Sequence, residues 1–185
     1  MTSLLPLMPC LLLAAALLCA APPAPAEEAT PVPRPLALGD AAPPWRLNDD
    51  TGRAAALADA KDKAWVVLAF YPKADTPGCT KEMCSLRDAL ADLEGLDARV
   101  YGISLDDVVA QHAFREQHGL TFPLLSDPDG SVARKYGVLP AGARFTQRAT
   151  FVIDPSGIVR AIDRDVGVAT HGTDLATRLR ALQAD

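Results

Sequence analysis

The sequence predicts an α/β domain: one mixed sheet with helices on both faces. Two observations predict it. Ala64 to Phe70 (AWVVLAF) is an unbroken apolar run, the mark of a strand covered on both sides. Beyond it, segments of helical period alternate with short apolar runs, in the order β-α-β-α-β-β-α. Size agrees with that reading. The first charged residue is Glu27, and the 159 residues that follow the first 26 of 185 suffice for one core and not for two.

Each element has a local reason. Trp45 to Leu47 and Arg53 to Leu57 flank Asp50-Thr51-Gly52, which reads as a small extra hairpin ahead of the main sheet. The first main strand is Ala64 to Phe70. Thr76 to Leu93 reads as one helix, with Met83, Leu86, Leu90 and Leu93 on a single stripe and Cys79 in line with them. Val100 to Ser104 is the next strand, and Asp106 to His118 a helix that Gly119 ends. Ser126 to Gly130 (SDPDG) is turn chemistry, with a short helix over Ser131 to Tyr136. Ala149 to Ile153 and Ile158 to Ile162 flank Asp154-Pro155-Ser156-Gly157, a second hairpin signal. Asp174 to Leu182 closes the chain as a helix, with Thr173 as its N-cap and Leu175, Leu179 and Leu182 inward.

Composition excludes several functions. A net charge of −5 with mixed signs offers no footprint for nucleic acid. Hydrophobic residues at 49% and charged residues at 22% exclude a disordered chain. The amino-terminal end differs in kind, holding 8 of the 16 prolines within residues 1–35. Leu11 to Ala21 (LLLAAALLCAA) reads as the apolar region of a secretory signal peptide over residues 1–26, with Ala24-Pro25-Ala26 as the cleavage site. No Lys or Arg precedes Arg34, so the usual positive start is reduced to the terminal amine. An uncleaved anchor is disfavoured by Pro6 and Pro9, and lipidation at Cys19 by the bulky Leu18 before it. Residues 27–35 (EEATPVPRP) read as a proline-rich linker, and residues 36–185 as the domain. The expected protein is periplasmic or secreted, with no stable membrane association once cleaved.

Loss of the leader removes Cys10 and Cys19 and leaves Cys79 and Cys84. A bridge closing so short a loop adds little loop-closure entropy, so a structural staple is a poor explanation for the pair. The setting suggests chemistry instead. Phe70 to Cys84 (FYPKADTPGCTKEMC) runs from the end of a buried strand into a helix, where α/β sheets place their sites. Cys79 falls in the first turn, where unpaired N–H groups and the helix dipole favour an anion such as a thiolate. Thr76 is spaced to put a hydroxyl beside that sulfur. Pro72 closes the other side without offering a competing donor.

Pro72, Thr76 and Cys79 form a P-x-x-x-T-x-x-C pattern that resembles the active-site motif of the peroxiredoxins. The wider string YPKADTPGCTKEMCSLRD is similar to the PrxQ, or bacterioferritin comigratory protein, subfamily, including its second cysteine at Cys84. Gln147 to Asp154 (QRATFVID) resembles the family's R-x-T-F-[LV]-I-D strand, whose arginine, here Arg148, faces the reactive sulfur. The resemblance covers residues 36–185 and implies a thioredoxin-like fold and a thiol-dependent peroxidase for hydrogen peroxide and organic hydroperoxides. By that resemblance Cys79 is the peroxidatic cysteine, which attacks the peroxide and becomes a sulfenic acid. Cys84 then resolves it as a Cys79–Cys84 disulfide. Arg148 stabilises the thiolate and the leaving oxygen, and Thr76 and local N–H groups hold the peroxide in line. A thioredoxin-like dithiol is the expected reductant, a monomer the expected state, and no cofactor or metal is implied.

The remaining candidates have plainer readings. Glu82, three residues after Cys79, could touch the site but reads first as charge complementarity at the helix start; His112 and His118 read as helix surface, and Trp45 and Trp65 as core. One rival class shares the fold: the Sco-type copper chaperones, which use two nearby cysteines and a distant histidine. His171 is the histidine that reading would need. Nothing in it requires Thr76 or Arg148, and an arginine beside a cation site is unfavourable, so His171 is read as a loop or helix-entry residue.

Overall fold

The computed structural model describes residues 34–184. The signal-peptide reading, Cys10, Cys19 and the linker through Pro33 lie outside the described residues. In chain order come strands β1 (Arg46–Asp49) and β2 (Ala54–Ala56), a 3₁₀ turn (Leu57–Ala60), β3 (Trp65–Phe70), helices α1 (Pro77–Asp88) and α2 (Leu90–Glu94), and β4 (Ala98–Ser104). They are followed by α3 (Val108–His118), β5 (Leu124–Ser126), α4 (Ser131–Lys135), β6 (Ala149–Ile153), β7 (Val159–Asp163) and α5 (His171–Ala184). Among the described residues no helix is long and apolar enough to cross a membrane.

The strands form one seven-stranded sheet, ordered β2-β1-β5-β4-β3-β6-β7. Strands β3, β4 and β5 run parallel, while β6 lies antiparallel to β3 and β1 antiparallel to β5. The amino-terminal hairpin is therefore not an appendage: β1 docks on β5 and extends the main sheet. At the opposite edge, the segment leading into the domain pairs with the start of β7 and the turn before it. Ala41 bridges Ile158, Val159 N–H donates to the Asp40 carbonyl at 2.9 Å, and Gly39 N–H donates to the Val159 carbonyl at 2.9 Å.

Alternation along the strands builds a core on each face. Val67, Ala69 and Tyr71 meet Met83 and Leu86 of α1, Leu93 of α2, Phe114 of α3 and Leu175 and Leu179 of α5. Val66, Leu68 and Phe70 meet Trp45, Val132 and Tyr136 on the other face. Each fully buried Met or Leu of this kind contributes about 1.5–3 kcal/mol, so Met83 and Leu86 tie the middle of α1 to the sheet. Gly102 in β4 permits that approach, since a Cβ there would stand 2.7 Å from Leu124 Cδ2 and 3.2 Å from Met83 Sδ.

Several expectations are corrected. The helix expected over 76–93 is two helices, broken at Ala89 (φ −98°, ψ 3°). The break falls where α5 begins: a Cβ on Gly172 would lie 2.6 Å from Ala89 Cβ and 2.2 Å from the Ser85 carbonyl oxygen. Strand β5 lies just ahead of the Ser126-to-Gly130 turn. At three residues it is too short to show a period. Helix α5 starts at His171, so Thr173 is inside it; its hydroxyl donates to the Thr170 carbonyl at 2.9 Å. Trp45 is core, but Trp65 is only partly buried.

Candidate active site

Helix α1 leaves the carboxyl end of β3 after a six-residue turn, Tyr71 to Thr76. Pro77 occupies the first turn, where its missing N–H costs nothing. Cys79 follows in that turn and is buried, with 1% of its surface exposed. Thr76 is the N-cap in extended backbone, yet its side chain does not cap the helix: the hydroxyl donates to the Lys73 carbonyl at 3.0 Å. The amides of the first turn are thus left open beside the sulfur. Pro72 is half-buried on the same turn.

Arg148 arrives from a different strand, and register explains how. Strand β6 pairs antiparallel with β3 through Phe70↔Ala149, so the preceding Arg148 comes level with the β3–α1 turn. Arg148 shares its parity with Thr150 and Val152, whose side chains face α1 and α5. Its Nη2 donates to Cys79 Sγ at 3.4 Å and passes over Gly78, where a Cβ would stand 3.6 Å away. The loop carrying Arg148 is pinned to the site by Thr146, whose hydroxyl donates to the Tyr71 carbonyl at 2.6 Å.

Behind the arginine stands Glu82, which touches the site rather than serving as charge complementarity at the helix start. It is fully buried and forms an ion pair with Arg148 through Oε2 and Nη1. Its Oε1 lies 3.1 Å from His171 Nδ1. The contact with Arg148 is an ion pair, whereas Glu82 Oε1 and His171 Nδ1 lie within hydrogen-bond distance but out of hydrogen-bond alignment. The position was visible as a polar residue three places after Cys79, on the stripe of Met83 and Leu86. His171 is buried and opens α5, so of the two readings, loop or helix entry, the second holds; its Nε2 is 2.9 Å from Thr150 Oγ1. Burial pushes its pKa down to about 4, Arg148 adds to the fall, and Asp163 and Asp174 oppose it. The ring is therefore neutral near pH 7.

Cys84 lies further along the same helix, half-buried, and both cysteines are free thiols. Residues five apart on an α-helix have Cα atoms roughly 8.7 Å apart, against the 4.4–6.8 Å typical of a disulfide. The two sulfurs cannot bond while α1 is intact.

A second network that sequence reasoning missed braces the turn from below. Asp106 Oδ2 accepts from Ala74 N–H at 2.8 Å and from the Ser104 hydroxyl at 2.7 Å. Buried Gln111 donates to Ser104 Oγ at 2.9 Å and accepts from the Tyr71 hydroxyl, whose acidity burial suppresses. His118, expected on the surface, is half-buried with Nε2 3.1 Å from Asp75 Oδ1; His112 is exposed. Asp75 itself sits at φ 56°, the left-handed bend that turns the loop toward α1.

The AhpC/TSA family matches residues 38–162. The chain is 41% identical over 150 residues to peroxiredoxin bcp of Coxiella burnetii, covering 78% of this chain and 99% of that one. The chain belongs to the peroxiredoxins of the AhpC/TSA family. Its structure is similar to that of the peroxidoxin BcpB of Mycobacterium tuberculosis, with a TM-score of 0.73, 36% identity, and coverage of 78% and 97% of the two chains. It is also similar to the bacterioferritin comigratory protein of Xanthomonas campestris, studied for alkyl peroxide reduction, with a TM-score of 0.70, 30% identity, and 75% and 91% coverage. This peroxiredoxin is a thiol peroxidase of thioredoxin-like fold, of the PrxQ or bacterioferritin comigratory type. The copper-chaperone reading does not hold, because His171 turns to Glu82 and Thr150 rather than to the cysteines. Among the described residues no group of three or more His, Cys, Asp or Glu could hold a metal ion.

Proposed function

We propose that Cys79 is the peroxidatic thiol, Cys84 the resolving thiol, and alkyl hydroperoxides and hydrogen peroxide the substrates. The observation that carries this reading is the Arg148 guanidinium 3.4 Å from a buried Cys79 Sγ at an uncapped helix start. The Cys79 thiolate attacks the terminal oxygen of R–O–O–H, and the O–O bond breaks. The leaving alkoxide takes a proton to become an alcohol, and the cysteine, two electrons poorer, is left as a sulfenic acid. Arg148 and the open amides offset the charge moving onto oxygen, with Thr76 and Pro72 bounding the peroxide. Cys84 then attacks the Cys79 sulfur, the S–O bond breaks, and water departs. A thioredoxin-type dithiol returns the disulfide to two thiols.

Single-turnover assays on the two cysteine variants separate these roles. Cys79→Ser should consume no peroxide, because an alcohol supplies no thiolate. Cys84→Ser should consume one equivalent and accumulate a trappable sulfenic acid. Equal loss of that first equivalent in both variants contradicts the assignment.

The reading extends to location and state: a monomer, exported by the leader to the periplasm or beyond, and beginning at Glu27 after cleavage. The apolar run from Leu11 to Ala21 and the Ala24-Pro25-Ala26 site support export. An intact mass that retains Met1, or one carrying a lipid on Cys19, sinks it.

A further inference from the structure

His171 is a buried titratable group that the peroxidase steps do not use, and its surroundings are unusual. We propose that His171 is a positioning residue: through Nδ1–H it holds the Glu82 carboxylate, and Glu82 in turn holds the Arg148 guanidinium on the Cys79 sulfur. The inference rests on the reading that Cys79 is the thiol attacked.

Three helix and strand positions converge to make this chain of contacts. Glu82 comes from α1, Arg148 from the residue before β6, and His171 from the first turn of α5. Glu82 presents one oxygen to each partner, Oε2 to Arg148 and Oε1 to His171 at 3.1 Å. A carboxylate beside Nδ1 calls for a proton there, which leaves Nε2 to accept from the Thr150 hydroxyl at 2.9 Å. Thr150, 2% exposed, has no other acceptor among its recorded bonds, so the two neighbours agree on one tautomer. The ring is also fixed in place from behind. Gly172 N–H donates to Ser85 Oγ at 3.0 Å, and its bare Cα lets α5 close onto the α1 backbone at Ser85. A buried carboxylate with a cation on one side alone could turn away; an Nδ1–H turned to the other oxygen, 3.1 Å off, would leave it one orientation.

The charged groups facing His171 are Glu82 and Arg148 on the site side, with Asp163 of β7 and Asp174 of α5 on the other. A cavity of about 70 Å³ on that second side is bordered by Asp163, Asp174 and Arg178. None of these reaches Cys79 directly, so the route from His171 to the sulfur runs through Glu82.

Asparagine can place an amide N–H where Nδ1 stands, whereas glutamine reaches toward the Nε2 side. His171→Asn and His171→Gln therefore separate holding Glu82 from filling space. The readout is the rate constant for the first oxidation of Cys79 by hydrogen peroxide, followed as a function of pH. Glutamine should slow it about tenfold and move its rising limb to higher pH, with asparagine within about threefold of the parent. Equal rates in both variants, or a limb moving to lower pH, overturns the proposal. Failure of the parent itself to oxidise would instead refute the function on which it rests. Should either variant not fold, nitrogen NMR of the unaltered reduced protein decides: the Nδ1-protonated tautomer is expected, and the Nε2-protonated form overturns the proposal.

Discussion

Helices α1 and α3 leave the same edge of the sheet, from the carboxyl ends of the parallel neighbours β3 and β4, but they begin differently. Helix α3 is closed: the Asp107 carboxylate accepts from Ala110 N–H at 2.8 Å, and Gly119, at φ 57°, ends the helix in left-handed backbone. Helix α1 is open. Thr76 gives its hydroxyl to the loop, no acidic side chain stands in the first turn, and Arg148 lies over Gly78 and Cys79. A carboxylate at that N-cap would take up the amides and the dipole that a thiolate needs. The difference teaches that one geometry serves structure or chemistry according to what satisfies its first amides. The closed helix also supports the open one, since Asp106, one residue ahead of the Asp107 cap, holds Ala74 N–H.

The contrast breaks most visibly on oxidation. Bonding Cys79 to Cys84 requires α1 to unwind, whereas nothing in α3 has to move. Hydrogen exchange should show protection lost from Thr80, whose N–H donates to the Thr76 carbonyl at 2.8 Å, to about Cys84 in the disulfide form. It should be retained near Leu86, where α5 packs on Ser85, and unchanged over Val108–His118. Protection retained from Thr80 to Cys84 in the oxidised protein would show that the sulfurs meet in some other way.

Arg148→Met tests the open start next. If Cys79 is the attacking thiol, losing a charge-assisted hydrogen bond to its sulfur costs about 1.5–3 kcal/mol, which is a slowing of about 10–150-fold in peroxide attack. The variant should also melt lower, because Glu82 would remain buried with only His171 beside it. An unchanged rate would mean Arg148 is not the arginine of the site.

Asp107→Ala, at the closed start, should have the smallest effect. Removing a side-chain cap costs about 1 kcal/mol of stability. The melting temperature should fall by a few degrees while the rate of peroxide attack stays within a factor of two. A rate loss as large as that of Arg148→Met would erase the distinction between the two helices.

Much of this was legible in the sequence, for identifiable reasons. Cys79, Thr76 and Pro72 are local, so their spacing alone brings them to one turn. Arg148 is distant, and only the pattern of a whole strand after it pointed to its place. Glu82 was set down as a helix-start charge rather than a residue touching the site because charge was weighed above position, and His171, rightly placed at a helix entry, gave no sign of its partners. Glu82 lies on the apolar stripe of α1, and that stripe, not its polarity, decides its burial. His171 is brought in by α5, whose start lies three residues earlier than the hydrophobic period suggested. The break at Ala89 has no Gly or Pro to announce it, since it falls where a distant helix presses.

The strip of chain at Gly39–Ala42 that pairs with Gly157–Val159, at the start of β7, bears on how the domain assembles. It joins the first described stretch of the chain to one of its last strands, a pairing of high contact order. A chain growing from its amino end would hold this strip without a partner until residue 159 had emerged. Until then β7 is absent, and in any partly folded form with the strip detached, the N–H and C=O of Val159 join the unpaired groups that the β7 edge presents to other chains. Shortening the strip should therefore alter refolding yield and self-association before it alters peroxide chemistry, which lies at the far end of α1.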